Sequence, residues 1–553
     1  MLTSKLLLPA LLSATITVTG CGAIAATGTA ASPTKTAATS ASGASGATVA
    51  AAASIASGPA TSAASLAASH EDQADLTWDE GSETAITLAD AGSTGGPGVT
   101  VDGSTVTITA PGTYRVGGSL SDGTLVVDSA GDGVVRLVLD GASITSSTGP
   151  AILVADADEV VVILAEGSAN ALADGSTYAT TETTTEDTDT PNAALYSTAD
   201  LTIAGTGSLS VTGNANDGIA SKDGLVILGG TVNVTALDDG VRGKDYLVVR
   251  DGSLSVTAGG DGLKSDNTED ATLGYVLVAG GDSSITAQTD GIDATVTALV
   301  TGGTLSITAG DDGIHSDAVL EIAGGAIDIA SSYEGLEGTQ IVIGGGLIDV
   351  TSEDDGLNVA GDGGTTATAG GTTATAGGPG GRGGGMDAAV DGWFVTMSDG
   401  TLLIDAGGDG FDSNGDASVS GGTVVVNGPE ANGNGALDVN GSFVVSGALV
   451  VAAGSAGMAE APGNGEGQAT VDVLFNSSQA AGTVVQVRGG DGSIITTFQS
   501  AKSFQSLVIS SPELVAGQTY DVYTGGAVSG ESMGGLYPDA GATGTLLGSI
   551  AAI

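Results

Sequence analysis

The chain has 553 residues, 94 of them glycine, with 3% aromatic residues and a formal net charge of −52. Plentiful Gly, Thr, Val, Ile and Ser with few helix-forming Lys, Arg and Gln describe a β-rich chain with many turns. So acidic a surface repels polyanions, which excludes nucleic acid as a partner, and it draws counter-ions, for which dense carboxylates favour Ca²⁺; adaptation to high salt would leave the same charge.

At the N-terminus, Lys5 precedes the apolar run Leu6 to Leu12 and then Val18-Thr19-Gly20-Cys21. A basic residue, a short apolar stretch and small residues make a secretory signal. The V-T-G-C ending resembles a bacterial lipobox, which implies cleavage before Cys21 and acylation of its thiol. Residues 1–20 are therefore expected to be a lipoprotein signal peptide. Cys21 is the one cysteine, so no internal disulfide forms. Residues 21–72, mostly Ala, Ser, Thr and Gly, read as a flexible tether. The expected location is extracytoplasmic and membrane-anchored, at the cell surface or outer envelope.

Alternating apolar residues begin near residue 100 in VTVDGSTVTITAPGTYRV, followed by VVRLVLDGASI and LTIAGTGSLSVTG. A repeat then becomes explicit. Asp-Gly or Glu-Gly units start at Asp217, Asp239, Asp261, Asp290, Asp312, Glu334, Asp355 and Asp409, at spacings of 22, 22, 29, 22, 22, 21 and 54. A fixed period near 22 residues marks a solenoid. Each unit is read as two short strands: Leu320 and Ile322 point in, and after Gly324-Gly325 so do Ile327 and Ile329. The absence of a helical apolar period argues against leucine-rich repeats and βαβ units. The fold expected is all-β, a right-handed parallel β-helix over residues 75–455, with inserts at 176–191 and 361–385. Residues 469–553, with longer strands and Phe475, Phe504, Tyr520 and Tyr523, read as a small C-terminal β cap that covers open strand edges.

Stacked coils lie ~4.8 Å apart, so the repeated acids should form a column. Two unit charges at that spacing repel by roughly 1 kcal/mol in water and about 3 at an effective dielectric of 20. Hydrogen bonds from each Asp's own turn would relieve this, and so would bridging Ca²⁺. The candidate Ca²⁺ ligands are Asp217, Asp238, Asp239, Asp261, Asp266, Asp290, Asp311, Asp312, Asp317, Asp354, Asp355, Asp409 and Asp412. A second column three residues on holds Ala220, Arg242, Lys264, Asp293, His315, Glu337, Asn358, Asp412 and Asp438, and is expected to face solvent. From it, Arg242, Lys264, Asp293, His315 and Glu337, with nearby Lys244, are the candidate ligand-binding residues. Either this cationic strip holds acidic sugars, or its basic groups merely neutralise the aspartates.

The segments SYEGLEG, DDGLN followed by a Gly-rich insert with GGM, the repeated DGI-x-S-x-D, and NAALYSTADLTIAGTGSLSVTG together resemble a family of bacterial carbohydrate-binding β-helix proteins. The resemblance covers about residues 75–525. It implies a pectate-lyase-like fold, export, frequent lipid anchoring, calcium binding, and binding of cellulose or acidic polysaccharides such as polygalacturonate without a general lyase role.

Three functions compete. The first is a non-catalytic, monomeric, polysaccharide-binding surface lipoprotein. Of its two tryptophans, Trp78 lies near the tether and reads as a capping residue, and Trp393 is the other; so few aromatics favour charged or Ca²⁺-bridged ligands over neutral cellulose. The second is a Ca²⁺-dependent polysaccharide lyase acting by β-elimination, with Lys264 as the base, which would need a lowered pKa. The third is a passive stalk or adhesin.

Overall fold

In the computed structural model, residues 66–178, 190–361, 388–463, 467–537, 541 and 544–553 are described. The expected signal peptide, Cys21, the tether up to residue 65 and most of both inserts lie outside the described residues. Among those described, 39 strands join one sheet whose pairs are mostly parallel, and four more form a second sheet. A 3-10 turn at Glu80–Ser82 is the helical structure there, and no helix is long and apolar enough to cross a membrane.

The array is solenoid-like and all-β. Each repeat contributes three strands, not the two expected, and each strand pairs in parallel with its equivalent in the next repeat. One repeat consists of Val241–Gly243, Tyr246–Val249 and Ser253–Thr257. These pair onward with Leu263–Ser265, Tyr275–Val278 and Asp282–Thr286. Three ladders result. The first, missed by sequence reasoning, runs through the Asp-Gly units themselves. Its strands are often three residues long, too short to display alternation.

The inward column of the first ladder reads Ile219, Val241, Leu263, Ile292, Ile314, Leu336, Leu357, Phe411 and Leu437. All are buried. Each such side chain contributes about 1.5–3 kcal/mol of burial free energy, before chain entropy is set against it. Phe411 and Phe443, from the first and second ladders, stack with ring centroids 5.8 Å apart.

Two kinds of glycine shape the coil for different reasons. In the Gly-Gly turns between the second and third ladders, the second glycine has positive φ, as at Gly281 (78°) and Gly303 (87°). The glycine after each aspartate is there for space. A Cβ on Gly240 would lie 2.2 Å from Val256 Cγ1, and one on Gly262 would lie 2.3 Å from Ile285 Cγ2. An aliphatic side chain of the third ladder fills the room that glycine leaves.

The C-terminal end of the array is covered. The last third-ladder strand, Leu449–Gly454, pairs antiparallel with Phe504–Ser510, which also pairs with Thr470–Gln479. Behind them a four-stranded sheet takes the order 494–499, 484–488, 519–524, 545–551. Along the flank of the array, residues 66–83 lie against the second ladder, from Tyr275 back to Arg115. Ala67 donates to Thr272 O at 2.9 Å, and Tyr275 Oη donates to Ala67 O at 3.0 Å. Residues 66–72 are thus bound to the array, although their composition placed them in the tether.

Candidate functional site

The first ladder brings both predicted columns together. Ala220, Arg242, Lys264, Asp293, His315, Glu337, Asn358, Asp412 and Asp438 follow one another as register partners. Every step of that column agrees with the sequence. Its exposure does not: Ala220, His315 and Asn358 are buried, and the other members are half-buried. The side chains point away from the apolar core but are walled in by the acids three residues before them and by neighbouring coils.

The aspartate column is held differently from the expectation of own-turn hydrogen bonds. Asp239 Oδ1 accepts from the Asp261 N–H at 3.0 Å, Asp261 from Asp290 at 3.0 Å, and Asp290 from Asp312 at 2.8 Å. Asp355 likewise accepts from Asp409 at 2.6 Å, and Asp409 from Gly435 at 2.5 Å. These five carboxylates each bond the backbone of the next coil, so the column ties coils together and fixes where those carboxylates sit.

The column has two halves of different charge. From Asp217 to Asp317 it contains its own cations. Arg242 meets Asp217 at 2.9 Å and Asp266 at 3.2 Å. Lys264 bridges Asp261 and Asp293, the latter at 2.9 Å. His315 Nδ1 lies 3.2 Å from Asp293 and 4.0 Å from Asp290, and its Nε2 is 3.8 Å from Asp317. Burial disfavours the lysine charge, but Asp293, Asp239 and Asp261 hold Lys264 above the ordinary lysine value. Burial likewise opposes protonation of His315, yet Asp293, Glu337 and Asp290 push it up to about 9. Asp293 resists its own burial and stays below the usual carboxylate range through His315 and Lys264. Burial, with Arg242 opposing, pushes Asp217 up to about 7. Arg242 and Lys264 are therefore engaged counter-ions, and a lysine held protonated is the opposite of what a base requires. Lys244, half-buried, makes no ion pair among the described residues. Asp238, Asp311 and Asp317 are exposed at the margin.

From Glu334 to Asp438 the same positions are oxygen donors, and among the described residues no Lys, Arg or His forms an ion pair with them. Burial, then Asp412, Asp409 and Glu334, push Asp355 up to about 9. Asp412 is raised well above the carboxylate range by burial and by Asp409 and Asp438. Burial takes Asp409 to about 6, and burial with Glu337 raises Glu334. Asn358 Nδ2 donates to Glu334 Oε2 at 2.7 Å, leaving its Oδ1 buried without a hydrogen-bond partner. Glu334, Asn358 and Asp438 belong with Asp354, Asp355, Asp409 and Asp412 in this cluster. They stand in the two columns legible from the sequence, but were not among the predicted cation ligands.

Between the halves, two sets bring ligand atoms within 4.8 Å of one another: Asp290, Asp293 and His315, and Asp312, His315 and Glu337. With His315 protonated, its imidazolium neutralises these acids itself. Burial and hydrogen bonding with Glu337 raise Asp312.

The profile of a family described as carbohydrate-binding domain-containing protein matches residues 102–381. A protein of the same description from Acetivibrio thermocellus is 37% identical over 73 residues, which are 13% of this chain and 26% of that protein. The match thus spans about a quarter of that relative. Among solved structures, a polysaccharide lyase-like protein from C. thermocellum, studied as a gadolinium derivative, is 33% identical with a TM-score of 0.42, covering 44% of this chain and 97% of that one.

Proposed function

Given that the chain belongs to the carbohydrate-binding domain-containing protein family, we propose that it binds polysaccharide, without catalysis and with the help of Ca²⁺, on the outward face of its first ladder. The observation that carries this reading is the run of acids Glu334, Asp355, Asp409, Asp412 and Asp438, with which no Lys, Arg or His among the described residues forms an ion pair. Carboxylates so placed either take up protons or take up a metal ion. The donor set suits a hard cation: several carboxylates plus an amide oxygen, Asn358 Oδ1, that lacks any other partner. Glu334, Asn358, Asp355, Asp409 and Asp412 would hold it. Bound there, Ca²⁺ would supply positive charge to which a sugar carboxylate can join.

This favours an acidic, polygalacturonate-like chain. The aspartates of the upper half, already matched by Arg242, Lys264 and His315, serve to position coils, and Lys244 remains available to a ligand. The solenoid-like array is taken to be a right-handed parallel β-helix, monomeric and extracytoplasmic. Acylated Cys21, after loss of residues 1–20, would anchor it to a membrane through the tether. A lyase is the weaker reading, because Lys264 stays protonated between Asp261 and Asp293.

Retention of the full chain on immobilised polygalacturonate, measured in Ca²⁺ and in chelator, tests the proposal. Retention in Ca²⁺, release by chelator and no unsaturated product are expected. Equal retention in chelator would remove the metal from recognition. Unsaturated product that disappears in Lys264→Ala would overturn the non-catalytic reading.

A further inference from the structure

A second surface has the build of a ligand site. A groove of about 560 Å³ opens between residues 76–80 and the outward face of the second ladder. Its volume falls within the range of about 300–1,000 Å³ common for small-ligand sites. Trp78, Val138 and Ile163 give it an apolar floor, and Arg115, Asp140 and Glu166 a polar rim. Arg115, Val138 and Ile163 are register partners on three neighbouring strands, so floor and rim stand on rigid backbone.

The indole is held at its edge. Trp78 Nε1 donates to Glu83 Oε1 at 2.8 Å, and Arg115 grips the same carboxylate at 2.6 and 2.8 Å. Arg115 then reaches Asp140 at 3.2 Å. Trp78 is half-buried against Val138, Val161 and Ile163. Three acids line the groove, Glu80, Asp140 and Glu166, all exposed, while its one guanidinium is engaged by Glu83 and Asp140. The local charge is negative, which disfavours a phosphate or a uronate. Carboxylates accept hydrogen bonds from hydroxyl groups, and an indole or aliphatic floor packs against the C–H face of a pyranose ring.

We propose that this groove is a subsite for uncharged sugar residues, independent of the acidic column and of Ca²⁺. Trp78 is the platform, Asp140 and Glu166 accept from sugar hydroxyls, and Glu83 with Arg115 positions the indole. The inference rests on polysaccharide binding as the chain's function, but assigns neutral sugars to a different face. Trp78 and Glu80 precede the family match at 102–381, so part of this subsite comes from the segment before it.

The test titrates the full chain in chelator with neutral tetrasaccharides (cellotetraose, xylotetraose and mannotetraose), reading heat and indole emission. The chain has two tryptophans, so Trp393→Phe assigns the emission change to Trp78. At least one probe should bind saturably with a shift in emission. Trp78→Ala should weaken it about tenfold or more. Asp140→Asn and Glu166→Gln, both at exposed positions, should weaken it severalfold with unchanged melting temperature. If no neutral probe binds while polygalacturonate still binds in Ca²⁺, the subsite is wrong and the main proposal stands. If a neutral probe binds through Trp78 while polygalacturonate never does, the subsite stands and the acidic-ligand reading falls. Neutral binding indifferent to all three substitutions would refute the assignment to this groove.

Discussion

Replacing Lys264 by Met probes the electrostatics of the column most directly. The ammonium lies between Asp261 and Asp293, with side-chain exposures of 23%, 7% and 20%. Removing one partner of a fully buried pair costs about 3–5 kcal/mol, since the remaining charge is left without compensation. Here the lysine is partly solvated and each aspartate keeps other partners: Asp261 accepts from the Asp290 N–H, and Asp293 meets His315. The expected loss is therefore nearer ~2 kcal/mol at neutral pH. The sign with pH follows from the shifts. Lys264, raised when folded, stabilises fully below its unfolded value. Asp293, depressed when folded, stabilises above its unfolded value, about 3.9, and that share disappears as pH falls through its folded value. The gap between parent and variant should be widest from about pH 5 to 9 and close below about pH 4. Urea midpoints across that range measure it, and amide exchange over residues 260–295 should locate it. Lys264→Arg should recover most of the loss. Equal midpoints for Lys264→Met and parent at pH 7, or a gap that does not narrow in acid, would refute the counter-ion reasoning.

In chelator, melting should occur at a higher temperature at pH 5 than at pH 8. Asp217, Asp239, Asp290, Asp355 and Asp409 bind protons in the folded state at about 7, 6, 7, 9 and 6, so stability declines as pH rises through those values, and saturating Ca²⁺ should flatten the decline. Asp412→Asn and Asp355→Asn should each weaken Ca²⁺ binding by about tenfold or more in calorimetric titration, whereas Asp238→Asn at the exposed margin should leave it unchanged. Gly262→Ala should destabilise by about 1–3 kcal/mol through its clash with Ile285 Cγ2, and adding Ile285→Ala, which removes that methyl, should cost less than it does in the parent, a coupling visible in a double-mutant cycle of denaturant midpoints. Arg250→Ala removes the contact to Glu71 (2.5 Å) that pins residues 66–83, so limited proteolysis there should quicken while the coils stay resistant.

Much of this was legible before any coordinates. The 22-residue period and the aliphatic residue following each Asp-Gly pair were enough to align both columns, and their register holds coil by coil. Three things were hidden. The first ladder escaped notice because segments such as Leu263–Ser265 are too short to alternate, and an Asp-Gly pair signals a turn. The glycine in that pair is a steric requirement set by Val256 or Ile285, residues from another ladder that no local pattern can indicate. Covering of the second column depends on neighbouring coils, so an alternating pattern that puts His315 outward says nothing about what lies over it. The binding of residues 66–72 was equally invisible, because His70 meets Thr202 and Tyr246, 132 and 176 positions away, from within a segment of plain Ala and Ser.

The Asp-Gly coil also behaves as a unit of copy number. Its upper and lower faces present the same backbone pattern, so a duplicated stretch of 22 residues meets both neighbours in register. A deletion of half that length would break three ladders at once. What changes with each duplicated coil is dosage: a copy with lysine at the outward position is electrically self-sufficient, and a copy with aspartate or asparagine adds capacity for cations. The charge of this surface can thus be adjusted by counting coils, leaving the design of any single coil untouched.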